Sequence, residues 1–333
     1  MNYRKLGRSG LTVSDISLGS WRTAGGDTDA KNFRKILFRS VDLGVNLIDT
    51  AEVYRHGEAE CIIGSLVGEL NRHELVLATK CSGWATNDHR NVGLNKKHMV
   101  EACNQSLRNL NTDYVDLYQF HKPDPTCPLE ESVRAIGLLL RQGKVLYWGL
   151  SNYSLEETAD VVRLCDGLGV ERPVSMQPKY NMFHRGVENS LVNFCEANGM
   201  GLIVYSPLDQ GLLTGKYRKS AEIPDDSRLQ TFDSRRTDEM LAEDNLDAVE
   251  ALLKIAEQCG VTLVQLALAW VLRRTAVSSA ICGATKVSQL ESNVTASGVE
   301  LSEETLAGVE EVLQKRRARI RIRDHEKTLR QGK

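Results

Sequence analysis

No stretch of this 333-residue chain reaches the ~18 consecutive apolar residues that a membrane-spanning helix needs. None of its eight cysteines, at positions 61, 81, 103, 127, 165, 195, 259 and 282, forms a Cys-x-x-Cys pair. That argues against zinc-ribbon and dithiol redox classes and for reduced, mostly buried small hydrophobes. The seven histidines show no His-x-x-x-His or other ligand spacing, so no metal centre is expected. Gly-x-Gly-x-x-Gly is missing, and any dinucleotide bound here is held without a Rossmann fold. Gly-x-Ser-x-Gly is missing too, which removes the hydrolase nucleophile elbow. Gly211-Leu-Leu-Thr-Gly-Lys216 fails as a phosphate loop, being one residue short between its glycines and followed by Tyr217 rather than Ser or Thr.

An excess of either charge is lacking as well. The net charge is −2, which offers nothing to a nucleic-acid partner. The one asymmetry is residues 314–333, where nine Lys/Arg face two acids. Its plain reading is a solvated helix end fraying into a mobile basic tail over 315–333, and the other is a contact to an acidic partner or membrane surface. Arg4, Lys5 and Arg8 precede no apolar leader segment, so a cytoplasmic location is expected.

What is present is a rhythm. Short apolar runs at Ile16, Val45, Leu75, Tyr114, Val145, Pro173, Gly201 and Ser278 read as strands, and apolar residues at helical spacing fill most of the intervals, as with Met99, Cys103, Leu107 and Leu110. Eight strands separated by helices specify an α/β chain closed as a (β/α)8 TIM barrel, one domain over 1–314. Additions to it are an N-terminal hairpin around Leu11 to Asp15, a long polar loop from Pro207 to Asn245 after strand seven, and extra helices at Leu246–Cys259, Leu263–Leu272 and Glu303–Gln314.

Three strands end on reactive side chains. The run Gly44 to Tyr54 delivers Asp49 and then Tyr54, the next strand finishes on Lys80, and the next on His121. The 31 and 41 residues between these positions each accommodate a helix and a parallel strand, so all four side chains converge on the C-terminal face, where barrel enzymes keep their sites. Each has a dull explanation alone: Asp49 a cap, Tyr54 loop packing, Lys80 a surface charge, His121 a strand end. Together they point to chemistry. A buried Asp49 keeps Lys80 charged, and Lys80 beside Tyr54 is expected to pull the phenol below its usual pKa of about 10, making it a general acid.

Over essentially its whole length the chain resembles the aldo-keto reductase superfamily, in particular the branch that holds the voltage-gated potassium channel β-subunits and bacterial oxidoreductase relatives. The resemblance is carried by Asp49-Thr-Ala-Glu-Val-Tyr54, Thr79-Lys80, Tyr118-Gln-Phe-His-Lys-Pro-Asp124, Gly149-Leu-Ser-Asn152, Tyr205-Ser-Pro-Leu208, Gly211 to Lys216, and Gly283 to Gln289 with Asn293. It implies NADP(H) lying extended across the barrel mouth and a catalytic tetrad of Asp49, Tyr54, Lys80 and His121 acting on a small carbonyl substrate. By the same resemblance Ser151, Asn152 and Gln177 hold the carboxamide and Tyr205 stacks on the nicotinamide. Ser206, Pro207, Leu208, Gly211, Leu212 and Lys216 follow the pyrophosphate, while Arg228, Gly283, Thr285, Gln289 and Asn293 surround the adenosine end. The 207–245 loop is then a clasp over the cofactor.

Trp84 and Tyr118 are expected in a partly aromatic substrate pocket. Two departures stand out: Arg55-His56-Gly57 follows Tyr54 where many relatives have glycine at once, and Gly283 and Gln289 stand where several have basic residues. The expected function is NADPH-dependent reduction of aldehydes or ketones with Tyr54 as proton donor. Other classes are a slow cofactor-binding redox sensor or regulatory subunit, and a barrel enzyme using Lys80 as a Schiff base.

Overall fold

The computed structural model describes the backbone of residues 1–82, 92–219, 222–224 and 227–331, with side chains as far as Arg323. Strands β1 (Tyr3–Lys5) and β2 (Thr12–Ser14) pair antiparallel as the N-terminal hairpin. The next eight strands are β3 (Ile16–Gly19), β4 (Leu47–Asp49), β5 (Val76–Cys81), β6 (Val115–Phe120), β7 (Val145–Ser151), β8 (Ser175–Gln177), β9 (Gly201–Tyr205) and β10 (Val277–Cys282). They close into a parallel barrel in which β10 pairs with β3, and every one of them coincides with a run read from sequence.

The helices that return the chain between these strands are α1 (Ala30–Asp42), α2 (Glu58–Val67), α3 (Lys96–Asn109), α4 (Leu129–Arg141), α5 (Leu155–Leu168) and α6 (Leu191–Ala197). Their starts are encoded locally. Asp29 caps α1, Asn95 caps α3, and Ser154 with Glu157 forms a reciprocal capping box on α5. Each inner stripe packs on the outward residues of the strands, giving the main core between barrel and helices.

A second core fills the barrel itself. Leu47, Val76, Ala78, Leu117, Ile203 and Ile281 point inward, and Leu6 and Val13 of the hairpin segment plug the N-terminal end. Strand side chains alternate, so each inward series fixes what the same strand offers two residues later at the other end. Leu47 is followed by Asp49, Ala78 by Lys80, Leu117 by Gln119 and His121, and Ile203 by Tyr205. An apolar barrel floor therefore carries a polar mouth.

Three boundaries differ from the sequence reading. The 207–245 segment holds 3₁₀ turns at Asp209–Thr214 and Arg228–Thr231 and a short helix α7 (Ser234–Met240), ahead of α8 (Glu243–Gln258) and α9 (Leu263–Leu272). A helix α10 (Val287–Val294) occupies the motif after β10. The last helix α11 (Glu303–Gln331) continues past Gln314, because its basic residues find partners across the fold: Arg316 donates to Asn245 at 2.8 Å and lies over the Phe183 ring, and Arg323 pairs with Asp244 at 2.6 Å. No single helix among the described residues is long and apolar enough to cross a membrane. All eight cysteines are free thiols, and burial pushes Cys103, Cys165, Cys195 and Cys282 up to about 12, which leaves them inert.

Candidate active site

The four reactive side chains meet at the C-terminal mouth. Lys80, wholly buried, sends its ammonium to both Asp49 carboxylate oxygens at 2.9 and 2.7 Å, to the Thr50 carbonyl at 2.8 Å and to the Tyr54 hydroxyl at 3.3 Å. Asp49 also accepts from the Gln177 amide at 2.8 Å. The Tyr54 and His121 rings meet edge to face with centroids 5.8 Å apart. This places a phenol and an imidazole on one wall with an ion pair beneath the phenol.

The protonation states follow from burial and charge. Burial pulls the Lys80 ammonium down, but the Asp49 carboxylate and Tyr54 more than restore it, so it stays charged. Tyr54 departs from expectation: burial pushes its phenol above the ordinary value and outweighs the Lys80 charge that pulls it down. The expected depression below 10 is therefore overturned, since a phenolate packed into the barrel mouth loses more hydration than one ammonium returns. His121 is pulled down to about 3, first by burial and then by the charges of Lys80 and Lys122, so its imidazole is neutral. Its Nδ1 is buried without a hydrogen-bond partner among the described residues.

The Tyr54 loop is fastened to the end of β5 from behind. Glu52 receives the Ser82 backbone N–H at 2.7 Å, its own N–H donates to the Lys80 carbonyl at 3.2 Å, and His98 of α3 approaches its carboxylate at 3.4 Å. Glu52, Cys81 and His98 bring one donor atom each within 4.8 Å of one another. They come from a loop, a strand and a helix, so no local spacing marked them.

Around the quartet opens a cleft of about 1610 Å³, larger than a drug-sized pocket and of a scale that accommodates a dinucleotide with a small substrate. Asp49, Tyr54, His121, Ser151, Asn152, Gln177, Tyr205, Ser206, Pro207, Leu208, Gly211, Lys216, Arg228, Gly283, Thr285, Gln289 and Asn293 all line it. Hydrogen bonds preset part of this wall. Tyr205 donates to Asn152 at 2.8 Å, Asn152 donates to the His121 carbonyl at 3.1 Å, and Ser151 donates to the Gln177 carbonyl at 2.9 Å. Gly211, at φ 102°, takes a backbone conformation few other residues adopt.

Two expected residues lie elsewhere. Leu212 is buried in the main core rather than on the cleft. Tyr118 is also fully buried, because Lys80 pairs in register with Gln119, so Gln119 takes the inward position and Tyr118 faces the helices. Trp84 lies outside the described residues.

Sequence reasoning missed the opposite wall, formed by the loop after β3. Trp21, Arg22, Asp27 and Asn32 line the cleft. Arg22 donates to Asp27 and to Thr231, each at 3.0 Å, while Arg228 lies 3.9 Å from Asp27 and 5.5 Å from the centre of the Trp21 ring. The loop after β3 and the long segment thus meet across the cleft. The available signal was Gly19-Ser-Trp-Arg-Thr-Ala-Gly-Gly26, a glycine-rich turn at the first barrel strand's end.

The fold and its polar mouth define a (β/α)8 barrel with a reactive site on the strand ends. The aldo/keto reductase family model matches residues 15–314, and the chain belongs to that family of oxidoreductases. Among its relatives, a probable voltage-gated potassium channel subunit beta from Arabidopsis thaliana is 41% identical over 320 residues, covering 94% of this chain and 97% of the relative. A putative voltage-gated potassium channel subunit beta from Schizosaccharomyces pombe is 40% identical, covering 93% of each chain. The L-glyceraldehyde 3-phosphate reductase of Escherichia coli O157:H7 is 36% identical, covering 93% of this chain and 92% of the relative.

Proposed function

We propose that the chain is an NADPH-dependent reductase of aldehydes and ketones, with Asp49, Tyr54, Lys80 and His121 as its catalytic set. The observation that carries this reading is the Asp49–Lys80–Tyr54 chain of contacts opening onto a dinucleotide-sized cleft. The cleft fits the cofactor in its donors: Arg22, Lys216 and Arg228 supply cations for phosphates. Asn152, Ser151 and Gln177 supply amide-recognising groups beside the Tyr205 ring, and Gly211 leaves its wall open. Bound there, NADPH would supply a hydride to the carbonyl carbon.

The chain's own residues do the rest. Tyr54, protonated at rest, gives its hydroxyl proton to the oxygen as charge develops on it. A raised phenol pKa is no obstacle, since a nascent alkoxide is far more basic than a phenolate. Lys80 stabilises the phenolate left behind, and Asp49 keeps Lys80 charged and in place. Neutral His121 holds the carbonyl in line without competing for its proton.

A titration following NADPH fluorescence, then a panel of activated aldehydes, tests this reading. Tight binding with turnover supports it. Three relatives at 40–41% identity carry the name of potassium channel β-subunits, which favours a second reading as a slow cofactor-binding sensor. Tight NADPH binding with no reduction of any aldehyde or ketone supports that one instead.

A further inference from the structure

The turn that follows β9 has an unusual backbone. Ser206 (φ 53°), Asp209 (φ 45°), Gln210 (φ 57°) and Gly211 (φ 102°) are all left-handed. Only the last is a glycine, so three residues with side chains hold a conformation that costs strain and that persists where its surroundings impose it. Ser206, Gln210 and Gly211 line the cleft. Lys216 lies close against this wall, since a Cβ built on Gly211 would stand 3.2 Å from its ammonium.

What imposes the shape is on the far side of the wall. Asp209 is only 6% exposed, and its Oδ1 gathers the Lys179 ammonium at 3.1 Å, the His184 Nε2 at 3.2 Å and the Asn181 amide at 3.3 Å. Asn181, itself fully buried, also donates to the Ser206 carbonyl at 2.8 Å, so one amide ties both ends of the turn. The three partners belong to the segment after β8, where Lys179 bridges to Tyr205 in parallel register, and the tie therefore extends the β8–β9 pairing beyond the strand ends. Burial pushes the Asp209 carboxyl up, but His184 and Lys179 more than reverse this and hold it below the usual carboxylate range. Arg316 of α11 is a further positive charge within reach of it. A carboxylate behind a wall that is expected to meet phosphate would repel the ligand if left bare. Here it is turned into the protein and neutralised.

We propose that Asp209 is a positioning residue for the dinucleotide: tied to Lys179, Asn181 and His184, it holds Ser206, Gln210 and Gly211 in the left-handed shape that lines the cleft where the diphosphate common to NADPH and NADH would lie. The inference rests on the cofactor reading above.

The test reads cofactor affinity by fluorescence titration with NADPH and with NADH. Asp209→Ala removes the acceptor and leaves a residue with a side chain untethered at a left-handed position, and it raises Kd for both cofactors about tenfold, the scale of a lost charge-assisted hydrogen bond. Asp209→Asn keeps an oxygen for the same donors and tolerates the left-handed region, so it retains most of the affinity. Lys179→Met gives part of the loss, and adding it to Asp209→Ala costs nothing further, because the two act through one contact. The loss falls on the cofactor KM more than on kcat, and urea unfolding verifies that each variant is folded. Unchanged Kd values in folded Asp209→Ala, losses that add in the double variant, or a loss confined to NADPH overturns the inference alone. If Asp209→Ala does not fold, Lys179→Met, on a partly exposed side chain, decides: raised Kd values for both cofactors support the inference and unchanged ones overturn it. A wild type that binds neither dinucleotide overturns the cofactor reading and this inference with it.

Discussion

The Lys80 ammonium lies 2.7 Å from the Asp49 carboxylate and 3.3 Å from the Tyr54 hydroxyl, with no solvent exposure of the lysine. One buried charge thus serves two purposes: it neutralises a carboxylate that would otherwise be stranded, and it faces the group that we propose gives up a proton. Stability and chemistry are coupled at this atom.

Lys80→Met separates the two. Without the ammonium, Asp49 keeps only the Gln177 amide among the contacts described here, and an uncompensated buried charge costs about 3–5 kcal/mol. Urea unfolding should show a loss of that order, with Asp49→Asn added to Lys80→Met recovering part of it, while reduction is abolished in both. A Lys80→Met protein as stable as wild type would mean that Asp49 does not depend on the pair.

Tyr54→Phe removes one hydroxyl and keeps the ring against His121. Cofactor binding and fold should survive, and turnover of 4-nitrobenzaldehyde should fall by the ~10²–10⁴-fold typical of a positioned acid. The loss should fall equally on kcat and kcat/KM, as for an interaction made only in the transition state. A Tyr54→Phe protein as active as wild type would remove Tyr54 from the chemistry.

The barrel and the quartet were legible because each barrel strand is a short apolar run, Asp49, Lys80 and His121 stand at strand ends, and Tyr54 lies in the loop that follows one of them. Tyr118 was misplaced because its strand mixes apolar and polar residues on both faces, Asp116 on one and Gln119 on the other; only its pairing across from Thr79, with Gln119 opposite Lys80, fixes which residue turns inward. The depression expected for Tyr54 failed because Lys80 in a sequence is a nearby charge, while the partial burial of Tyr54 is a property of the packed mouth. Arg22 and Asp27 were not legible because their partner Thr231 and their neighbour Arg228 lie some two hundred residues away. The length of α11 depends in the same way on Asp244 and Asn245, which no periodicity within the helix reveals.

Protonation of His121 offers a test by pH. Burial and the charges of Lys80 and Lys122 pull its imidazole down to about 3, so it is neutral on both sides of its ordinary value of 6.5. The reduction rate should therefore pass from pH 5 to 8 without an inflection from this residue, and Tyr54, raised above its ordinary value, should stay protonated over the same range. An ionisation near 6.5 in kcat that disappears in His121→Gln would contradict the neutral assignment. Because the folded imidazole resists protonation, the unfolded state binds the extra proton first. Stability attributable to His121 is thus full above pH 6.5 and declines as the pH falls through the unfolded value towards the folded one.

On the proposed reading, Arg228 is the residue expected to decide between the two nicotinamide dinucleotides. Its guanidinium is largely buried, burial pulls its pKa below the ordinary value, and its nearest described carboxylate, Asp27, is 3.9 Å away, too far for a hydrogen bond. A desolvated cation so loosely matched gains from a second anion, and the 2′-phosphate of NADPH is the group that distinguishes it from NADH. Arg228→Ala should weaken NADPH binding by about 1–3 kcal/mol, roughly 5- to 150-fold, and leave NADH nearly unchanged. Fluorescence titration of both cofactors against wild type and variant measures this directly. If both affinities fall together, Arg228 shapes the cleft through Trp21 and Asp27, and recognition of the phosphate passes to Lys216.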